Sequence, residues 1–319
     1  MLKYIFKKLL YAVLTLLTLV TVTFFLMHLL PGDPFIGEQA IPESAKQALY
    51  AKYGLDQPVF VQYLKYLGNA VKGDFGDSMV FVGQPVKSII RQAFPYSFDL
   101  GVRALAFAVT AGLFMGILAS LNSGKALDFA TMAIAAIGIS VPSFILGSLL
   151  QYFLSIKLSG FTQEAFGFRM FPVEGWESFS QKLIPPFVLG FGQLAMIARL
   201  MRASMLEVLG QDYIKTARSK GVGGSALVTR HMLRNAILPI ITVLGPLTAS
   251  ILTGAFVVEN IFNIPGMGKY FVMSVQSNDY TMIAGTTLFY GTFLVGANFL
   301  VDIAYTLVDP NIRLGKGKA

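Results

Sequence analysis

Long apolar runs alternate along this chain with shorter stretches that hold nearly all of its charge. Leu9–Leu30 has no charged residue over 22 positions, and Phe129–Ile156 has none over 28. A helix needs about 20 apolar residues to cross some 30 Å of hydrocarbon, so each run is long enough to span a membrane. Phe98–Leu121, Leu183–Leu200, Ala236–Val258 and Thr281–Val301 bring the predicted spans to six. The first run exceeds the apolar core of a signal peptide, about 7–15 residues, and has no small-residue cleavage site, so it reads as a span. Prolines punctuate the pattern. PGDP (Pro31–Pro34) ends the first span, and VPSF (Val141–Phe144) predicts a kink in the third, because proline removes a backbone donor. Between the first two spans lies a mixed-charge segment that reads as an external loop with one or two short helices, Glu43–Tyr53 among them.

Composition agrees with this pattern. Hydrophobic residues make up 55% of the chain and charged residues 13%, where a soluble domain carries about 25% charged residues. The fold class is therefore an all-α polytopic membrane protein with six transmembrane helices. The net charge of +8 would suit nucleic acid, but its placement excludes that reading. With a cytoplasmic N-terminus, and with Asp99 and Arg199 at the span ends counted with their adjoining loops, inside segments hold 14 basic and 5 acidic residues, and outside segments 10 and 12. That is the positive-inside bias of a bilayer protein with both termini cytoplasmic. There is no cysteine, so disulfides and thiolate metal sites are excluded.

The longest basic stretch between two spans is Asp212–Pro239, DYIKTARSKGVGGSALVTRHMLRNAILP. Asp212 is placed to cap a short helix, and Gly221, Gly223 and Gly224 to stop it, since glycine takes left-handed angles without steric cost. Ser225 is placed to start a second helix. A short helix on a glycine swivel suits a partner that pushes on the membrane domain. In that reading Tyr213 and Ile214 fill a partner's groove, small Ala217 lets the helix sit deep, and Lys215, Arg218 and Lys220 rim it.

This stretch resembles the cytoplasmic "EAA" loop of permease subunits in ATP-binding-cassette (ABC) importers. Gly221 matches the family's glycine and Ala217 its second alanine, while Lys215 and Thr216 replace the glutamate and first alanine. YIKTARSKG and RHMLRNAILP, with PGDP, YGLDQP (Tyr53–Pro58), GDFGDS (Gly73–Ser78), NIPGMGKY (Asn263–Tyr270) and NDY (Asn278–Tyr280), resemble the first membrane subunit of the oligopeptide/dipeptide permease family. The resemblance implies the ABC type I importer permease fold, with residues 1–95 as a first span plus external segment. Residues 96–319 then form a five-helix core containing the coupling loop 200–238. It also implies a second homologous permease subunit, one or two ABC ATPase subunits and an extracellular or periplasmic peptide-binding protein, in a bacterial cell membrane. Nickel import by the same family is the alternative, and a channel or receptor component without ATPase partners is another.

No G-x-x-x-x-G-K-[ST] phosphate loop is present, and Ser123-Gly124-Lys125-Ala126 lacks its hydroxyl residue. This chain is thus expected to be no enzyme and to bind no cofactor, with ATP and magnesium held by the ATPase partners. Charges in the bilayer are costly and usually face a cavity or a partner. Arg103 is the one charge well within a predicted span, and with Gln151, Gln193 and Asn298 it is a candidate for the substrate path. The structural alternatives are an Asp99–Arg103 pair at i,i+4 spacing and interhelical bonding by the amides. Trp176 reads as an interfacial anchor, and Asp74 and Asp77 as turn-capping carboxylates.

Overall fold

The structure, a computed structural model, describes residues 2–29, 35, 42–81 and 83–308. The PGDP turn and the chain from Asp309 onward lie outside the described residues. The helices are α1 (Leu2–Leu29), α2 (Glu43–Tyr53), α3 (Val59–Val71), α4 (Val86–Leu121) and α5 (Ala126–Ser140). Next come α6 (Ser143–Leu150), a π-helical segment (Gln151–Leu158), α7 (Ser159–Phe166) and α8 (Ile184–Leu209). Then follow α9 (Asp212–Ser219), α10 (Gly224–Ala226), a second π segment (Leu227–Met232) and α11 (Leu233–Ala236). The last three are α12 (Leu238–Ile261), α13 (Met267–Gln276) and α14 (Tyr280–Val308).

Among the described residues, six helical stretches are long and apolar enough to cross a membrane: Phe6–Leu29, Val86–Leu121, Ser143–Phe166, Ser180–Leu209, Leu238–Ile261 and Tyr280–Phe299. The third differs from the sequence expectation of one kinked span over 129–156. Helix α5 ends at Ser140, and the third span begins at Ser143. Val141 is extended, as a residue before proline prefers to be, and Pro142 at φ −58° and ψ 140° starts a new helix. The break is complete because two successive residues leave helical geometry.

The chain forms two compact units, one of residues 1–95 and 266–300, the other of residues 96–265 and 301–308. In the first unit, buried Asp279 stands just before α14 and accepts the backbone N–H of Met282 at 3.0 Å, which makes it the helix's N-cap. Its other oxygen accepts the Ser78 hydroxyl and the Val80 N–H, so one carboxylate fastens the GDFGDS segment to the start of a span. Asp74 accepts the Gly76 N–H at 3.0 Å, the turn role expected of it. Both NIPG and NDY begin with an asparagine in left-handed conformation, φ 47° at Asn263 and 55° at Asn278.

In the second unit α8 is the central element. On α4, small residues recur every fourth position at Ala104, Ala108, Gly112 and Gly116. A Cβ on Gly112 would lie 2.8 Å from Ile197 Cβ, and one on Gly116 2.6 Å from Ala198 O. From the α8 side, a Cβ on Gly190 would lie 2.6 Å from Ala104 O. The two backbones therefore touch, which is how membrane helices pack when no side chain intervenes. Helix α5 meets α8 the same way, through Gly138 against Ala195.

Candidate functional site

Helix α9 is short because its ends are fixed by residues that leave helical geometry. Gln211, in extended conformation, occupies the cap position and makes no side-chain cap bond. Asp212 therefore does not cap the helix, as the sequence suggested. It is the first helical residue, and its carboxylate takes Lys215 Nζ at 2.9 Å. A capping side chain must come from the residue just outside the helix, while an acid at the first position still favours the helix dipole. The other end follows expectation. Gly221 is left-handed at φ +81°, its N–H bonds Arg218 O at 2.9 Å, and Val222 N–H bonds Ala217 O at 3.1 Å. These two bonds are a Schellman cap.

The apolar residues of α9 point the other way from the sequence expectation. Ile214 is fully buried and Ala217 nearly so, in one cluster with Met201, Met205 and Val208 of α8 and with Leu227, Met232 and Ala236 beyond the swivel. They belong to the chain's own core and do not fill a partner's groove. Spacing i,i+3 in an eight-residue helix gives a single apolar stripe, and burying a side chain such as Ile214 is worth about 1.5–3 kcal/mol. The exposed Asp212–Lys215 pair is worth a few tenths of a kcal/mol, so packing decides which face turns inward. Tyr213, Lys215, Thr216, Arg218 and Ser219 are left exposed. Tyr213 Oη accepts Asn235 Nδ2 at 2.8 Å, which ties the two arms of the segment together. The second arm starts at Gly224, after extended Gly223, one residue before the expected Ser225. Beside the swivel is a cavity of about 700 Å³ lined by Arg218, Gly221, Val222, Ser225 and Met232 among others.

A clamp that the sequence reading missed lies nearby. Asp128, buried near the start of α5, takes Arg202 of α8 in a two-pronged pair, Nε at 2.6 Å and Nη2 at 2.7 Å. It also accepts the Gly124 N–H at 3.0 Å. Hydrogen bonds from Arg202 and from that backbone group hold the carboxyl at about 2. The available signal was a lone acid at the mouth of an apolar helix, with Arg202 closing the next predicted span.

Of the four candidate path residues, Arg103, Gln151 and Gln193 belong to the second unit, where each bonds a different partner, and Asn298 belongs to the first. Arg103 pairs with Asp99, Nε to Oδ1 at 2.8 Å. The other carboxylate oxygen accepts Trp176 Nε1 at 2.9 Å, and Lys182 Nζ is 3.9 Å away. Trp176 is consequently buried inside the second unit, not an exposed interfacial anchor: its indole N–H has found a carboxylate. Gln151 donates to Ile261 O at 2.8 Å and Val173 O at 3.3 Å, so its amide nitrogen bridges two backbone carbonyls, the structural bonding named as the alternative. Gln193 donates to Ser250 Oγ at 3.1 Å, and both line a cavity of about 410 Å³ with Gly138, Ser143, Gly192 and Met196. Asn298 is exposed on α14 in the first unit.

Six apolar helical spans, with an amphipathic helix on a left-handed glycine set between two of them, define a polytopic transport permease. Two family models cover almost the whole chain. "Binding-protein-dependent transport system inner membrane component" matches residues 108–314, and the N-terminal model of the same membrane component matches residues 1–100. The chain belongs to this family of binding-protein-dependent ABC importer permeases. It is 45% identical over 316 residues to the dipeptide transport system permease protein DppB of Bacillus subtilis, covering 99% of each chain. It is 41% identical to the oligopeptide transport system permease protein OppB of Haemophilus influenzae, covering 98% of this chain and all of that one. Among solved structures, the inward-facing MetNI methionine ABC transporter shares the fold, with a TM-score of 0.54 at 18% identity over 69% of this chain and 96% of that one.

Proposed function

We propose that this chain is the membrane permease subunit of an ATP-driven importer of dipeptides and oligopeptides. The observation that carries the reading is identity of 45% over 99% of the chain to a dipeptide permease. A second, homologous permease subunit completes the path, one or two ATPases bind ATP and magnesium, and an external peptide-binding protein delivers substrate. The chain itself hydrolyses nothing, and both termini are cytoplasmic.

The division of faces on α9 supports a mechanism. Tyr213, Lys215 and Arg218 meet the ATPase, while Ile214 and Ala217 are packed with Met201 and Met205 on α8. Closure of the ATPase pair on ATP moves α9, and α8 moves with it because close-packed side chains transmit displacement. The second unit then switches between outward- and inward-facing states. Gln193 with Ser250 offers an amide and a hydroxyl to a peptide's main chain, which binds amides without selecting side chains. Arg103 and Asn298 remain candidates for the substrate path.

The test is uptake of labelled dipeptide, tripeptide and nickel by cells whose only peptide importer contains this chain. Peptide uptake that depends on the chain and on ATP supports the proposal, and uptake of nickel alone overturns it. Single cysteines at Lys72, Glu177 and Lys269 should react from outside and one at Lys220 from inside. The reverse pattern would overturn the orientation.

A further inference from the structure

The sequence reading puts the segment between the first two spans in an external loop, yet α3 is fastened to α1 within the membrane span. Tyr63 Oη lies 2.7 Å from Thr21 Oγ1, and the threonine gives its own proton to Leu17 O at 2.7 Å, so the phenol is the donor. The Tyr63 ring also meets Phe24 and Phe25, with centroids 5.4 and 5.5 Å apart. Gln62 Oε1 is 3.1 Å from His28 Nε2. Thr21 is about two turns, roughly 12 Å, inside the α1 end at Leu29. The apolar stretch Phe6–Leu29 has 24 residues and is about 36 Å long, only about 6 Å more than the hydrocarbon layer. Even if all the excess protrudes at the Leu29 end, Thr21 lies about 6 Å below the hydrocarbon boundary.

The far side of α3 matches that depth. No residue of α3 is buried. Phe60, Leu64, Leu67 and Val71 recur at four, three and four positions and form one stripe along the helix. Phe60, Leu64 and Val71 are exposed. Through the Tyr63–Phe25 contact this stripe continues the apolar face of α1, where Val22, Phe25 and Leu26 are exposed. Lys65 and Lys72 are exposed as well, the cationic flank that interfacial helices set against phosphates.

We propose that α3 is a partly submerged interfacial helix whose Phe60–Leu64–Leu67–Val71 stripe lies against lipid acyl chains, in the leaflet farther from the N-terminus. The Tyr63–Thr21 bond then sits in hydrocarbon, where a phenol needs a partner, and α3 fixes the depth of α1.

The chain has no cysteine, so single cysteines at positions 60, 64, 65 and 69 report cleanly. The assembled transporter is reconstituted in proteoliposomes opened to reagent on both sides, which makes the result independent of orientation and of the transported substrate. Each cysteine is exposed to a membrane-impermeant maleimide and, after bimane labelling in detergent, to lipids carrying a spin quencher near the headgroup. Cysteines in place of Phe60 and Leu64 should react at least about tenfold more slowly than those at Lys65 and Asn69, because a thiol away from water does not ionise. Bimane at 60 and 64 should be quenched by the lipid. Equal reaction at all four positions would overturn the proposal in favour of a solvated loop helix. Slow reaction without quenching would overturn it in favour of cover by a partner protein.

Discussion

The swivel after α9 can be tested with a pair of alanine substitutions that differ only in backbone geometry. A Cβ at Gly221 or at Gly223 meets nothing within 4 Å, so neither substitution creates a clash. Gly221 sits at φ +81°, whereas Gly223 is extended at φ −130°. Gly221→Ala should therefore cost about 1–2 kcal/mol in left-handed strain. Gly223→Ala should gain about 0.4–1 kcal/mol by restricting the open chain. The difference of roughly 1.5–3 kcal/mol corresponds to about ten- to a hundredfold in the population of the opened cap, at 1.4 kcal/mol per decade. The amide of Val222 reads this directly, since it is bonded to Ala217 O in the cap. In the assembled transporter its hydrogen exchange should rise about tenfold or more in Gly221→Ala and not in Gly223→Ala. Peptide-stimulated ATP hydrolysis should fall only in Gly221→Ala. Gly221→Asn should lie between, because asparagine tolerates left-handed angles. Equal exchange and equal ATPase rates in the two alanine variants would refute the role given to the glycine.

Gly116→Ala would put a Cβ 2.6 Å from Ala198 O. It should destabilise the second unit by about 1–3 kcal/mol of overpacking, seen as a lower melting temperature in detergent; an unchanged melt would mean the two helices are not in backbone contact. Asp128, held at about 2 by Arg202 and the Gly124 N–H, contributes stability above its unfolded value of about 4 and loses it as pH falls from there toward 2. Asp128→Asn should lower the melting temperature at neutral pH and remove this part of the acid slope; a melt identical to the parent's at both pH values would refute the clamp. Exchanging Asp99 and Arg103 should not restore what Arg103→Ala loses, because the exchanged guanidinium would face the Trp176 N–H and Lys182. Full recovery of uptake would mean that the pair acts alone.

The six spans were legible because apolar runs of about 20 residues have one physical meaning in a long chain. The Gly221 cap was legible because glycine at the end of a short polar helix supplies a left-handed residue. The break at Val141–Pro142 was readable only as a kink, since proline's missing donor does not reveal whether its neighbours also leave the helix. The inward turn of Ile214 and Ala217 depends on Met201 and Met205, nine to sixteen residues earlier, and no local pattern carries that. The Ala104–Ala108–Gly112–Gly116 ladder is present in the sequence, but small residues at fourfold spacing do not say which helix they pack against, and only the folded chain gives α8. Gln151 and Gln193 look alike in sequence. Only the three-dimensional chain shows that the first amide holds backbone carbonyls and the second lines a cavity.

The two faces of α9 also bear on how such importers diversify. The residues that pack α9 into the core, Ile214 and Ala217, are interleaved with the exposed ones, of which Tyr213 alone is also tied to the second arm, through Asn235. The rest of the outward set can be rewritten without repacking the interior, so exchanging positions 212, 215, 216, 218 and 219 is a change of plug on an unchanged cable. On the proposed docking of α9, a lineage re-pairs its permease with another ATPase by drift at five surface positions, while the inner stripe stays packed.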